Sequence, residues 1–278
     1  MTNPEKEVKQ VLEANIAFHS ALADTYNADQ PHFKSENINR VEHLLADMAA
    51  KTGGGSLLDL GCGTGFIIDI AKKYFQRVVG VDITQAMLNQ VDTSDSQVEL
   101  YLADTGNVPL PDNEFDVCTA YGFLHHLHDL RPTLNEAYRC LRPGGLFFSE
   151  LDPNYYYWWL MDNLKDRNDL TGIVEREVRS VVSISEDVAT NIGLSPEIVS
   201  LAEFQKVKKG GFEADKITSL MKEIGFCSIN YRYEWFLGQG KVFHQQSVTD
   251  AQVIEEFLRE ALPATRHLFK YISFYAER

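Results

Sequence analysis

Cysteine is scarce and unpatterned: four occur in 278 residues, Cys62, Cys118, Cys140 and Cys227, with no CxxC pair. That excludes a disulfide-stapled fold and a cysteine zinc module, and the four read as reduced, mostly buried thiols. Long uncharged stretches are missing as well. No run of 18 residues is free of charge, and residues 1–20 carry Glu5, Lys6, Glu7, Lys9 and Glu13 where a secretion signal needs an apolar segment. The expectation is a cytoplasmic chain with no membrane partner. Positive charge is in deficit, 26 Lys and Arg against 40 Asp and Glu, for a net −14. The longest basic run, Lys206 to Lys209, is broken by Val207 and reads as a solvated helix face. Nothing here neutralises a phosphate backbone, so nucleic acid is not expected as a partner.

What is present is an ordinary globular composition, 44% hydrophobic and 24% charged, in a length that suits one α/β core carrying an insertion. Apolar residues Val8, Val11, Leu12, Ile16 and Phe18 predict an N-terminal helix over 5–24, with Pro31 closing that segment. Ile38, Val41, Leu44, Leu45 and Met48 predict a second helix over 36–50, stopped at Gly53-Gly54-Gly55. Strand and helix patterns then alternate. Strands are predicted at 56–60, 78–82, 98–103, 115–121 and 146–150, with helices at 66–74, 85–91 and 133–141, the second capped by Thr84. Parallel strands need such crossovers, so the fold class is α/β, a doubly wound Rossmann-like sheet. After Asp152 the rhythm breaks into the aromatic run Tyr155–Trp159 and mostly helical material. Regular pattern returns with a helix at 214–224, strands at 228–236 and 268–276, and a helix near 249–262. The expected division is N-terminal helices over 1–52, a core over 53–152, an insertion over 153–213, and a closing segment over 214–278.

Chemistry concentrates in Leu57-Leu58-Asp59-Leu60-Gly61-Cys62-Gly63-Thr64-Gly65-Phe66, an apolar strand running through a glycine-rich turn into a helix. Glycines let backbone approach a ligand, and unpaired N–H groups at a helix start suit an anionic group. A dinucleotide fingerprint would place its third glycine one residue later, where Phe66 stands, which disfavours a dehydrogenase. Asp82 ends the second strand and is placed to accept from ribose hydroxyls.

In this stretch and beyond it the sequence resembles class I S-adenosylmethionine-dependent methyltransferases. Leu58–Gly65 is similar to that family's first motif, Val79-Gly80-Val81-Asp82 to its second and Ala103-Asp104 to its third. Phe115-Asp116-Val117, Leu124-His125-His126 and Leu141-Arg142-Pro143-Gly144-Gly145 follow in the family's order, and Gly225-Phe226 resembles its turn into the sixth strand. The resemblance implies a seven-stranded sheet whose last strand is antiparallel, and S-adenosylmethionine as cofactor, leaving as S-adenosylhomocysteine. It implies that Asp59, with the backbone of Gly61, Cys62, Gly63 and Gly65, holds the methionine end, and Asp82 the ribose. Ile83 and Met87 would flank adenine, with Asp104 and Thr105 at its edge. Tyr26 resembles a tyrosine that closes over the cofactor, and Tyr121 and Gly122 would face its reactive end.

Methyl transfer from a sulfonium is an in-line displacement with a good leaving group, so alignment supplies much of the rate. Where a base is needed, histidine is the first candidate. His126, past the fourth strand, is the one chosen here, with His19 and Tyr26 as further candidates. His125, His126 and His128 with Asp129 lack a helical i, i+4 pair, and no metal is expected. Phe123, His126, Asp152, Asn154, Tyr155 and Trp158 are expected to contact the acceptor, the aromatic run serving either as pocket wall or as packing anchor. The acceptor is expected to be a small molecule methylated on O, N or C. The alternatives are a macromolecular acceptor such as tRNA or protein, and a cofactor-binding protein without methyl transfer. Segments 153–213 and 238–266 either cap the pocket or pair subunits as a homodimer.

Overall fold

The computed structural model describes residues 4–170, 172–182, 189–245 and 247–278; residues 171, 183–188 and 246, within the two segments expected to cap the pocket, lie outside them. Seven strands form one sheet: β1 Ser56–Leu60, β2 Arg77–Asp82, β3 Val98–Leu102, β4 Phe115–Tyr121, β5 Leu141–Pro153, β6 Cys227–Phe236 and β7 Phe269–Glu277. Their order is β3-β2-β1-β4-β5-β7-β6. β1 to β5 pair in parallel, and β7 runs antiparallel between β5 and β6. This is the doubly wound sheet with one reversed strand that the motif order implied.

The strand pattern follows from burial on both faces. β1 is buried at every position, as a parallel strand covered on two sides must be. Leu58 and Leu60 join one apolar cluster with Leu134, Ala137 and Met221, while Leu57 joins another with Val41, Leu45 and Ile68. The helices supplying these layers are α3 Ser35–Thr52, α4 Phe66–Ala71, α6 Arg131–Cys140 and α10 Ala214–Ile224; α1 Pro4–Leu22, α2 Tyr26–Asp29 and α5 Gln85–Leu88 lie toward the site. Asp116 fastens the sheet centre, accepting from Ser56 N at 2.7 Å and from Arg142 Nη1 at 2.5 Å.

Two local expectations are corrected. The helices after β1 and β2 end sooner than predicted, at Ala71 and Leu88. Thr84 stands at the start of α5 without capping it through its side chain. Asp82 Oδ1 instead accepts from Thr84 N at 2.8 Å.

The insertion contributes α7 Tyr155–Leu164, α8 Gly172–Val182, α9 Pro196–Ala202 and a five-residue π-helical segment, Phe204–Lys208. α9 packs along α1, where Phe18, Val199 and Ala202 form a small core of their own. The π segment packs on the short turn Leu124–His126 after β4. In the later segment α11 Gln239–Gln245 packs on β6, and α12 Val248–Glu260 packs on α11 and reaches β6 through Arg259, paired to Glu234. Among the described residues no helix is long and apolar enough to cross a membrane.

Candidate functional site

A cavity of about 1030 Å³ opens at the C-terminal ends of β1, β2 and β4, the edge where ligands lie in doubly wound folds. Its floor is the glycine turn. Gly61 has φ 70° and Gly63 φ 53°, a left-handed region open to glycine at little cost. A Cβ on Gly61 would stand 2.0 Å from the Phe123 ring, whereas one on Gly63 would meet nothing within 4 Å. The backbone is bare at Gly63, and free space lies beside it.

Four N–H groups of this turn are already taken up within the protein. Gly61 N and Cys62 N both donate to Val81 O, Gly63 N donates to Asp82 Oδ2 at 2.9 Å, and Gly65 N donates to Cys62 O. Those donors are engaged, and the charged groups left on the cavity wall here are the carboxyls of Asp59 and Asp82. Asp59 is 2% exposed and accepts from Thr119 Oγ1 at 2.7 Å. Burial, reinforced by the charge of Asp82 and opposed by the Thr119 bond, pushes its carboxyl up to about 7. A carboxyl so placed is one that a bound ammonium would ionise. The floor therefore fits the cationic amino end of an amino-acid moiety.

Ile83, Met87 and Thr105 also line the cavity. Met87 and Thr105 are buried, Thr105 hydrogen-bonding to Thr133 at 2.9 Å. Asp104 lies at the exposed rim and accepts from Gly106 N. Cys62, Tyr121, Gly122 and Phe123 complete the wall, while Gly65 stands behind it against Val91. Phe66, where a dinucleotide site wants glycine, packs 5.1 Å from Tyr121 and 4.9 Å from His32. His32 was not singled out from sequence, yet it lines the cavity, and burial depresses it to about 4.

The other half of the cavity lies between α1 and the insertion, with Val8, Val11, Leu12, Phe18 and Leu22 on one side and Ile192 and Val199 on the other. Histidines line it. His19 Nδ1 faces Asn15 O at 3.0 Å and His126 Nδ1 faces Ala202 O at 2.7 Å. A carbonyl only accepts, so each ring carries its proton on Nδ1 and keeps the Nε2 lone pair. The two rings meet edge to face at 4.7 Å. Burial holds both below the ordinary histidine range, against the opposing charge of Asp82 on His19 and with reinforcement from His125 on His126. The phenol of Tyr26 is pushed far up by burial, with Glu203 and Asp82 adding to the effect, so it stays protonated.

Four acceptor-contact expectations are corrected, since Asp152, Asn154, Tyr155 and Trp158 do not line the cavity. Asp152 is fully buried behind it, accepting from His125 N and His125 Nδ1. Asn154 caps α7 and donates to Arg266 O and Phe269 O. Tyr155 packs on Tyr156, and Trp158 sits in a small core with Tyr157, Met161 and Val178. Tyr157 and Trp158 make the aromatic run a packing anchor, their faces taken up by neighbouring helices, while Trp159 is 53% exposed. Glu203 and Lys206, joined at 2.8 Å, reach the wall from the π segment. Burial would raise Glu203, but Lys206 and the adjacent histidines pull it well below the ordinary carboxylate range. The basic run Lys206 to Lys209, expected as a solvated helix face, is corrected at Lys206, whose side chain is 16% exposed and turned to Glu203; Glu203 itself lies in a stretch without periodicity and was not singled out.

A family model described as "Methyltransferase domain" matches residues 58–149. A chain of Mycolicibacterium smegmatis described as "Probable S-adenosylmethionine-dependent methyltransferase" is 24% identical over 88% of this chain and 85% of its own. The 27-O-demethylrifamycin SV methyltransferase of Amycolatopsis mediterranei is 33% identical over 43% of this chain and 47% of its own. A solved S-adenosylmethionine-dependent methyltransferase from Archaeoglobus fulgidus shares the fold, with TM-score 0.52 and 16% identity, over 87% of this chain and 94% of that one. The motifs, the sheet with its one reversed strand and these relatives agree: residues 58–149 carry a methyltransferase domain, and the chain is an S-adenosylmethionine-dependent methyltransferase of the class I fold, with S-adenosylmethionine as its cofactor.

Proposed function

We propose that this enzyme methylates a small, largely apolar acceptor that carries an ionisable hydroxyl, or a comparable N or C nucleophile, bound between α1 and the insertion. The observation that carries the reading is the apolar half of the cavity, continuous with the glycine floor and bearing the His19 and His126 lone pairs. Pockets for small ligands are built in this way, apolar walls with a few polar groups that fix orientation. The rifamycin methyltransferase among the relatives has by its name a small-molecule acceptor, which supports the same class.

In this reading Asp59 and the glycine turn hold the amino-acid end of the cofactor, Asp82 takes the ribose hydroxyls, and Ile83, Met87, Asp104 and Thr105 surround the base. When bound, the cofactor supplies an electrophilic methyl on a sulfonium. The chain aligns the acceptor with it and excludes water through the aliphatic face of α1. His19, neutral and with Nε2 free, takes the acceptor's proton. Tyr26 retains its own proton and serves as a hydrogen-bond donor over the cofactor. The chain's net charge of −14 weighs against tRNA as acceptor.

The test is S-adenosylhomocysteine release by the full chain with S-adenosylmethionine and a panel of uncharged phenols, enols, amines and aliphatic alcohols, alongside tRNA and protein. The expected result is turnover with apolar small acceptors, lowered at least tenfold in His19→Asn with S-adenosylhomocysteine affinity retained. Release with tRNA or protein alone, or binding without release on any acceptor, overturns the reading.

A further inference from the structure

We propose that His125, His126 and Glu203 form a site for one divalent transition-metal ion on the acceptor side of the cavity. One ligand atom from each, a ring nitrogen from either histidine and a carboxylate oxygen, lie within 4.8 Å of one another. All three residues line the cavity. His125 and His126 come from the turn after β4, and Glu203 enters from the junction of α9 with the π segment. π-helical insertions are frequent at functional sites.

The outer contacts are those of metal-binding imidazoles. His125 Nδ1 lies 3.0 Å from Asp152 Oδ1, and His126 Nδ1 lies 2.7 Å from Ala202 O. Both partners accept, so both rings keep Nδ1 protonated and present Nε2. A carboxylate or carbonyl behind the far nitrogen fixes the tautomer and ring orientation of a ligating histidine. Lys206 Nζ holds Glu203 Oε2 at 2.8 Å, which fixes the orientation of the carboxylate. His125 Nε2 stands 3.9 Å from Glu203 Oε2, near enough to share an ion and too far to hydrogen-bond.

An orphaned polar atom points the same way. Asp152 Oδ2, in the carboxyl that holds His125 Nδ1, is buried without a hydrogen-bond partner. A cation on Nε2 of His125 would strengthen the bond between that ring and the carboxyl behind it. Two imidazoles with one carboxylate suit zinc, iron(II), cobalt(II) or manganese(II), whereas magnesium and calcium prefer oxygen throughout. Three protein ligands leave positions open to the cavity. An acceptor oxygen bound there would be polarised beside the neutral His19, a role that rests on the acceptor reading above. The sequence expectation of no metal weighed only the histidine cluster with Asp129, because Glu203 lies far downstream.

The experiment titrates cobalt(II) into the full chain after chelator treatment, following visible absorption and metal content. The expected result is one cobalt per chain with ligand-field bands, and affinity lowered at least tenfold in Glu203→Gln and in His126→Gln, with His43→Gln as an unchanged surface control. Each variant's fold is checked by its circular dichroism, and either of the two ligand variants suffices. Absence of a stoichiometric cobalt band in the wild-type chain, or equal affinity in a folded ligand variant, overturns the proposal. Cobalt is read without methyl transfer, so its failure leaves the acceptor reading standing, and failure of the acceptor panel leaves the metal site standing.

Discussion

Asp59 sits on β1 between Leu58 and Leu60, is 2% exposed, and has its carboxyl pushed up to about 7. In the unfolded chain the same carboxyl ionises in the ordinary range near 4. Between these values the folded protein keeps a proton that the unfolded chain has released, so this residue makes stability fall as pH rises from about 4 to about 7 and adds no further slope above. A ligand ammonium facing Asp59 favours the ionised form. Binding of S-adenosylhomocysteine at about pH 6 is therefore expected to release close to one proton, and at about pH 8 almost none. Calorimetric titration in two buffers of different ionisation enthalpy reads this directly. Equal proton release at both pH values, or none at either, would show that Asp59 does not meet the ammonium. Asp59 and Asp82 were legible in sequence because the first lies two residues before a glycine turn and the second ends the following strand. The state of Asp59 was not, since it depends on the layers that close over β1.

At the scale of elements, Arg40 clips helix α3 to the end of β5. Its Nη1 donates to Glu150 Oε2 at 2.9 Å, and its Nη2 lies 2.5 Å from Oε1. Glu150 is 1% exposed, and burial raises its carboxyl against the pull of Arg40. Removing one partner of a buried pair leaves a charge uncompensated, at a cost of about 3–5 kcal/mol when both are buried. Arg40 is 41% exposed, so Arg40→Met is expected to cost roughly 2–3 kcal/mol in urea unfolding. Adding Glu150→Gln should restore more than half of it, because the stranded charge is gone; simple addition of the two losses would contradict this account. Elements of this kind separate what sequence shows from what it hides. Strands β1, β2 and β4 were legible because burial on both faces writes a continuous apolar run. The helices after β1 and β2 were over-extended because apolar residues continue past their ends. Asp152 and Asn154 were expected in the pocket from their place at the end of the fifth strand. The first turns back to hold His125, and the second caps α7, partnerships set by elements far apart in sequence.

Across the whole molecule the two halves of the cavity have separate supports. The glycine floor belongs to β1, β2 and the first crossover, inside the two large cores. The acceptor half depends on α1 against α9, a small satellite core in which Phe18 is 6% exposed beside Val199 and Ala202. Phe18→Ala should therefore cost about 3 kcal/mol, the low end for a buried phenylalanine, since a small core relaxes more readily. Mass action makes the floor's integrity measurable. S-adenosylhomocysteine at about 100 times its Kd adds about 2.7 kcal/mol, a rise in Tm on the order of 5–10 °C. The same ligand-induced rise is expected in Phe18→Ala, from a lower starting Tm, because the variant loosens the acceptor wall and leaves the strands beneath the cofactor untouched. Loss of the rise in parallel with the loss of stability would mean that α1 and the cofactor floor form one cooperative unit. The histidine wall would then be set by cofactor binding as well as by the insertion, and acceptor affinity would depend on the cofactor already in place.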